Sequence, residues 1–335
     1  MKKVVITGAT GAIGRALITV CIKEGYEVLA VVHRNSKRAS ELEKIEHCKV
    51  LYLDLSEYAY ALDEMKEQGI AFDDLSVQDR KINSTHAQAT ESNYEFFFHL
   101  AWAAAFGKDR ENLPLQLENV RASLAAVRFA KALGCSTFVG SGSQAEYGRV
   151  KGKLLPETPT YPETGYGIAK LCAGQMARLA CEQLGLKNVW TRNLSVYGPY
   201  DGELSLISVA INDMLNNRET SFSPCDQMWD YIYSEDAARA LLLAAQKGKH
   251  GEVYVIGSGD VHSLKEYIHK IAEITGYKRE VGFGKRPYND KQVMYLQADI
   301  KQLKEIGFEL KVSFEDGIKR IIALKKQKDF TERCC

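Results

Sequence analysis

The 335-residue sequence has no cysteine pair at CxxC spacing, no block of like charge, no internal repeat and no low-complexity linker. Its eight cysteines, Cys21, Cys48, Cys135, Cys172, Cys181, Cys225, Cys334 and Cys335, are scattered, so neither a metal site nor a redox dithiol is expected. They read as reduced thiols, many of them core filler, with the terminal pair an oxidisable tail. The formal net charge of +1 argues against a nucleic-acid footprint or a membrane-attracted basic face. The longest apolar run, 96–106, is broken by His99 and falls well short of the ~20 residues of a membrane span. The first strand starts within a few residues of Met1, which leaves no room for a signal peptide, and the expected location is cytoplasmic.

What is present is hydrophobic content of 45%, enough for a large core, arranged as short apolar strands alternating with helical patterns. Strands are expected at 3–7, 27–33, 49–53, 96–101, 137–140 and 188–193, and helices at 14–24, 115–133 and 166–184. That alternation is the signature of an α/β fold, a parallel sheet covered on both faces. After Tyr197 the order is less regular. Helices are expected at 204–216, 235–247, 264–275, 300–306 and 314–326, with strands at 231–233 and 252–256 and a frayed, charged end. The segment 56–94 is unusually long for a strand-to-strand connection; 57–68 has helical character and 79–92 is polar, so a surface insertion is expected.

The run Thr7-Gly8-Ala9-Thr10-Gly11-Ala12-Ile13-Gly14 follows a strand and opens a helix. Gly8 permits the tight turn, Gly11 the approach of a pyrophosphate and Gly14 close helix–sheet packing, with the anion at the helix N-terminus. This context indicates a Rossmann-type doubly wound sheet that binds a nicotinamide dinucleotide. The second strand ends in His33-Arg34-Asn35-Ser36-Lys37-Arg38, with no acid to hold a ribose 2′-hydroxyl. Arg34 and Arg38, with Ser36 donating, suit a 2′-phosphate, so NADP(H) is favoured over NAD(H). Asp54, beside Leu55, is placed to bond the adenine amine, and Leu100, Ala101, Trp102 and Ala103 are placed to line the cofactor.

Tyr166 and Lys170, four apart on a helix, share one face. A lysine cation beside the phenol favours phenolate, so the tyrosine can exchange a proton with an alcohol or carbonyl. Upstream, Gly140-Ser141-Gly142-Ser143 ends a strand, and either serine hydroxyl could polarise the same oxygen.

Together these residues resemble the extended short-chain dehydrogenase/reductase family, in its NAD(P)-dependent epimerase/dehydratase branch acting on nucleotide sugars. The resemblance covers nearly the whole chain. It rests on the TGxxGxxG loop, Asp54-Leu55, Phe98-His99-Leu100-Ala101, Asn119, Ser143…Tyr147-Gly148, Tyr166…Lys170, Val196-Tyr197-Gly198-Pro199 and Asp230-Tyr231-Ile232-Tyr233. It implies a catalytic Ser143–Tyr166–Lys170 triad, Ser143 lying four before Tyr147, with Ser141 the fallback. It also implies a homodimer through helices 115–133 and 166–184, whose apolar stripes include Leu124, Val127, Leu171, Met176 and Leu179. A dinucleotide domain over 1–195, carrying the 56–94 insertion, and a smaller, interwoven C-terminal α/β substrate lobe over 196–330 follow.

Departures narrow the reaction. The acids that serve dehydration in the family are replaced by Gln144 and Ala145, Trp229 stands where an arginine clamps diphosphate, and Ser195 replaces an asparagine. Candidate substrate contacts are Ser141, Gln144, Asn193, Ser195, Trp229 and Arg286, with Arg192 and Lys285 as further phosphate ligands. The function implied is C4 keto-reduction or dehydrogenation of a nucleotide-linked (deoxy)sugar. The alternatives are a 4-epimerase with tightly held NAD, and a non-catalytic dinucleotide sensor or partner-binding protein.

Overall fold

A computed structural model describes residues 1–72 and 94–334, the side chains of 328–334 excepted. The polar stretch 79–92, part of the expected insertion, lies outside the described residues, as does Cys335.

The first half alternates as its periodicity demands. Strand β1 (Lys2–Thr7) leads to helix α1 (Ala12–Lys23), β2 (Tyr26–Val32) to a short α2 (Ala39–Leu42), and β3 (Cys48–Tyr52) to a 3-10 turn at Leu55–Tyr60 and α3 (Ala61–Glu67). Strand β4 (Tyr94–His99), a 3-10 turn at Gly107–Glu111, α4 (Leu113–Ala132), β5 (Thr137–Ser143), α5 (Gly165–Gln183) and β6 (Lys187–Asn193) follow. Strands β1, β2 and β4 are rich in Val and Phe and buried on both faces, as a helix-covered parallel sheet requires, while β3 at the edge is half-buried. Helix α4 starts where the Asn112 side chain accepts from Leu115 N, with Pro114 tolerated in the first turn. Helix α5 starts where Thr164 Oγ1 accepts from Gly167 N at 3.1 Å, which sets Tyr166 in the first turn.

The second half contributes β7 (Ser195–Tyr197), α6 (Leu206–Leu215), β8 (Met228–Trp229), β9 (Tyr231–Tyr233), α7 (Ser234–Lys247) and β10 (Val253–Ile256). It ends in β11 (His262–Ser263), α8 (Leu264–Thr275), α9 (Lys301–Glu305) and α10 (Phe314–Cys334). Helix α6 begins two residues later than its hydrophobic pattern because the Ser205 hydroxyl caps it through Ser208 N. Helix α10 continues through the charged end expected to fray. The very short strands β7, β8 and β11 were not anticipated.

The main sheet is wholly parallel in the order β10-β6-β5-β4-β1-β2-β3. The chain runs outward from β1 on one side and then crosses to β4 on the other, so a crevice opens beyond the carboxyl ends of β1 and β4. That switch point is where ligands bind in open α/β sheets. A cut at residue 195 does not separate the layers, because β10 completes the main sheet and α7 joins its core beside α1. The smaller lobe packs α6, α8 and α10 around Tyr197, Ile211, Ile268 and Ile318. Asp230 staples it to the sheet edge, its buried carboxylate accepting from Ser258 N, Ser258 Oγ, Gly259 N and Ala298 N.

Candidate active site

A cavity of about 900 Å³ runs from the β1–α1 turn across the ends of β4, β5 and β6 into the smaller lobe. Its walls bring together Gly8, Thr10, Gly11, Ala12, Ile13 and Gly14 with Leu100, Ala101, Trp102, Ser141, Ser143, Gln144, Tyr166, Lys170, Asn193, Ser195, Trp229 and Arg286.

The turn fits a dinucleotide on steric grounds. A Cβ on Gly8, whose φ is +68°, would lie 2.8 Å from Ala101 N, and one on Gly14 would lie 2.3 Å from Gly8 O. At Gly11 nothing comes closer than Gly8 O at 3.6 Å, so this position opens onto the cavity. Helix α1 has no side-chain cap at Gly11 and no acid in its first turn. Its leading N–H groups are therefore available to a pyrophosphate.

Thr7 stands behind this wall. Its buried hydroxyl accepts from Leu100 N and Ala101 N, each at 3.1 Å, and so donates to His99 Nδ1 at 3.0 Å. His99 Nε2–H then donates to Ser123 Oγ (3.1 Å), whose own proton goes to Asn119 O (2.8 Å). Burial and the Lys170 cation push the imidazole down to about 3, consistent with this neutral tautomer. Ala103 is also held rather than exposed to the cavity: its N–H donates to Asn119 Oδ1, and its carbonyl accepts from Asn119 Nδ2. Trp102 Nε1 donates to Gln116 Oε1 at 2.9 Å, so α4 fixes the whole turn after β4.

The β2 end, with His33, Arg34, Ser36 and Arg38, lies beyond the cavity wall, as do Asp54 and Leu55. Arg34 is paired with Glu57 at 3.0 Å and Glu64 at 2.7 Å, and Asp54 Oδ1 accepts from Arg34 N. Arg38 donates to Tyr200 O at 2.8 Å, across the groove on the loop after β7. No carboxylate lies within ion-pair distance of Arg38 among the described residues, although its charge is felt by Asp201.

At the reacting end, Ser143 closes β5 and Tyr166 opens α5. Burial raises the Tyr166 phenol above its ordinary value, while the Ser143 hydroxyl and the Arg110 guanidinium pull it down. Lys170 lies over the Tyr166 ring at longer range than Arg110 does. Its Nζ donates to Ser141 O at 2.5 Å, lies 3.8 Å from the Trp102 ring centroid and 5.9 Å from that of Tyr166. Burial also lowers Lys170 to about 7, with Glu146 opposing the shift.

Two residues that the sequence did not single out, Glu146 and Trp190, join Arg192 in anchoring Ser143. Glu146 Oε1 accepts from Ser143 N at 2.8 Å, and the same carboxylate takes Trp190 Nε1 and Arg192 Nε (2.8 Å). The Trp190 indole fills a slot that only glycines leave open. A Cβ on Gly140, Gly142 or Gly174 would stand 2.1, 2.3 or 2.6 Å from its atoms. Arg192 is therefore an internal ion-pair partner, also donating to Pro156 O and stacked on Tyr147, and not a phosphate ligand. Lys285 is paired with Glu219. Ser143-x-x-Glu146 is a capping box, a signal legible in the sequence; the indole slot has no such signature.

On the substrate side, Ser195 Oγ accepts from Trp229 Nε1 at 2.7 Å, and Arg286 Nε donates to Ser221 Oγ at 3.2 Å. Asn193 Nδ2 donates to Ser141 Oγ at 2.8 Å, leaving its Oδ1 buried without a partner; Gln227 Oε1 is in the same state.

The NAD dependent epimerase/dehydratase family profile matches residues 4–257. The chain belongs to this family. It is accordingly a nicotinamide-dependent enzyme. Among curated relatives of the family, an Escherichia coli dTDP-4-dehydro-6-deoxyglucose reductase is 25% identical over 95% of this chain and 96% of its own length. A dTDP-glucose 4,6-dehydratase of Salmonella typhimurium is 27% identical over 50% of this chain and 49% of its own. In three dimensions the chain is similar to a family UDP-glucose 4-epimerase of Thermotoga maritima, solved with UDP-glucose. That similarity has a TM-score of 0.80 and 26% identity, covering 97% of this chain and 99% of the other.

Proposed function

We propose that this enzyme reduces the C4 carbonyl of a nucleotide-linked deoxysugar, with NADPH as the preferred donor. The observation that carries the reading is the polar chemistry of one cavity. The Ser143–Tyr166 pair shares this cavity with two residues, Asn193 and Gln227, whose buried Oδ1 and Oε1 acceptors lack hydrogen-bond partners. An unpaired buried acceptor costs roughly 1–3 kcal/mol, and the hydroxyl donors of a sugar would satisfy both. Dehydration lacks its acids: Gln144 and Ala145 follow Ser143, and Glu146 is locked to Arg192 and Trp190. Among the described residues lining the cavity the one carboxylate is Asp201, on the loop after β7, bonded to Gly202 N. The full-length likeness to a 4-dehydro-6-deoxyglucose reductase supports the same reaction.

In the reducing direction the bound nicotinamide supplies the hydride. Tyr166 donates the proton to the carbonyl oxygen, and the Ser143 hydroxyl stabilises the developing oxyanion. Lys170, tied to Ser141 O, fixes the strand end from which Ser143 projects. Incubation with NADPH and dTDP-4-dehydro-6-deoxyglucose should oxidise one NADPH per sugar. A second reading, 4-epimerisation, is favoured by the likeness to the UDP-glucose 4-epimerase; interconversion of UDP-hexoses with no net change in NADPH would select it.

The NADPH preference rests on Arg38, whose bond to a neutral carbonyl is exchangeable for a 2′-phosphate, and not on Arg34, already shared by two carboxylates. A charge-assisted hydrogen bond contributes about 1.5–3 kcal/mol. Arg38→Ala should therefore weaken NADPH by about tenfold or more with NADH unaffected, while Arg34→Ala leaves NADPH near wild type. Equal affinities of the wild type for NADPH and NADH, measured by fluorescence titration, would refute the preference.

The dimer proposal rests on α4 and α5, which pack together and leave Leu117, Ile168, Met176 and Leu179 exposed by 59, 55, 42 and 49%. Val127, expected on that face, is core. Light scattering at micromolar concentration should give a dimer mass that Leu179→Glu reduces; a wild-type monomer contradicts it.

A further inference from the structure

The loop 198–205, between β7 and α6, touches both halves of the cavity. At one end Tyr200 lies against the dinucleotide turn. Arg38 Nη1 donates to the Tyr200 carbonyl at 2.8 Å and reaches Thr10 O at 3.5 Å. The Arg15 guanidinium, on the first turn of α1, lies 4.9 Å from the Tyr200 ring centroid, and that of Arg38 lies 5.9 Å from it. Tyr200 is held at φ +67°, in the left-handed region that a residue with a side chain disfavours. At the other end Asp201, Leu204 and Ser205 line the cavity, and the Ser205 hydroxyl caps α6 through Ser208 N. Asp201 joins the two ends, bonded to Gly202 N and Ser205 and within the field of Arg38.

We propose that Arg38 and Tyr200 form a latch that the 2′-phosphate of NADP(H) opens, so that the loop walling the sugar site responds to which dinucleotide is bound. A ligand shifts a conformation only through contacts that differ between the two states. NADP(H) and NAD(H) differ in nothing but the 2′-phosphate. Of the two arginines after β2, Arg34 is already shared by two carboxylates, whereas Arg38 holds only carbonyl oxygens. A phosphate makes a stronger, charge-assisted bond to a guanidinium than a carbonyl does. When Arg38 turns to the phosphate, Tyr200 O loses its donor and the left-handed conformation loses a restraint. Arg15, paired with Glu41 at 3.2 Å, stays on the Tyr200 ring, so the loop loosens without detaching. The loosening passes through Asp201 to Ser205 and the start of α6. The inference rests on Arg38 as the 2′-phosphate ligand, but its test requires no sugar substrate.

The test is hydrogen–deuterium exchange of the full-length protein, read on peptides spanning 198–206. Three states are compared: without dinucleotide, saturated with NAD+ and saturated with NADP+. Any shielding by the shared part of the two dinucleotides cancels in their comparison, which isolates the phosphate. Loss of one hydrogen bond should make the loop exchange about two- to tenfold faster with NADP+ than with NAD+. Arg38→Ala should show the faster exchange with no dinucleotide at all, and NADP+ should add nothing to it. Exchange in β1, β4 and β5 should match wild type in this variant, which separates an opened latch from wider unfolding. Equal affinity of the wild type for the two dinucleotides would remove the 2′-phosphate from Arg38, and the trigger with it. A clear preference for NADP+ with equal loop exchange in the two complexes, or an Arg38→Ala loop as slow as wild type, overturns the latch alone.

Discussion

Tyr166→Phe should abolish nearly all turnover, by about 10²–10⁴-fold, while NADPH binding remains near wild type. The phenol stands beside both the Ser143 hydroxyl and a cation, so deleting one oxygen removes the proposed proton donor. The phenyl ring that remains keeps its edge contact with Trp102, 6.1 Å between centroids, and its stacking on Arg110. The pyrophosphate cradle at Gly8, Gly11 and Gly14 is untouched. Steady-state NADPH oxidation and a parallel fluorescence titration separate the two effects. Wild-type turnover in the Phe variant would show that another group moves the proton.

Glu146→Ala should be the most destabilising single change near the site. It leaves the Arg192 guanidinium buried with no counter-charge, Trp190 Nε1 without its acceptor and Ser143 N unpaired. Breaking a buried ion pair from one side costs about 3–5 kcal/mol, a large share of the 5–15 kcal/mol that typically separates folded from unfolded chains. Urea unfolding should show a markedly lower midpoint, and the surviving folded fraction should turn over slowly because Ser143 loses its anchor. Glu146→Gln retains hydrogen-bonding atoms but not the charge, so its stability should fall between the two. A Glu146→Ala protein as stable as wild type would mean that Arg192 finds another partner.

The main sheet, its long helices and the dinucleotide turn were legible because their information is local: β-branched runs, a 3.6-residue period and glycines directly after a strand. Tyr166 and Lys170 were legible for the same reason, four residues apart on one helix. How Lys170 is held was not. Its Nζ lies over the Tyr166 ring but is bound to Ser141 O, on the end of β5, which the helix spacing does not reveal. Arg34 and Arg38 looked equivalent in the sequence, yet the turn after β3 and helix α3 bring Glu57 and Glu64 to one, and the loop after β7 brings Tyr200 to the other. Arg192 looked like a phosphate ligand until the β5–β6 pairing placed it over Glu146. Each of these misreadings turns on a partner distant in the chain, which no local pattern reveals.

The most direct test of the account is transfer of deuterium from NADPH, labelled at the transferring position of the nicotinamide, to dTDP-4-dehydro-6-deoxyglucose. The account predicts one deuterium at C4 of the sugar for each NADPH oxidised, with the transfer lost in Tyr166→Phe. Deuterium absent from C4, or sugar interconversion with the NADPH untouched, would contradict it.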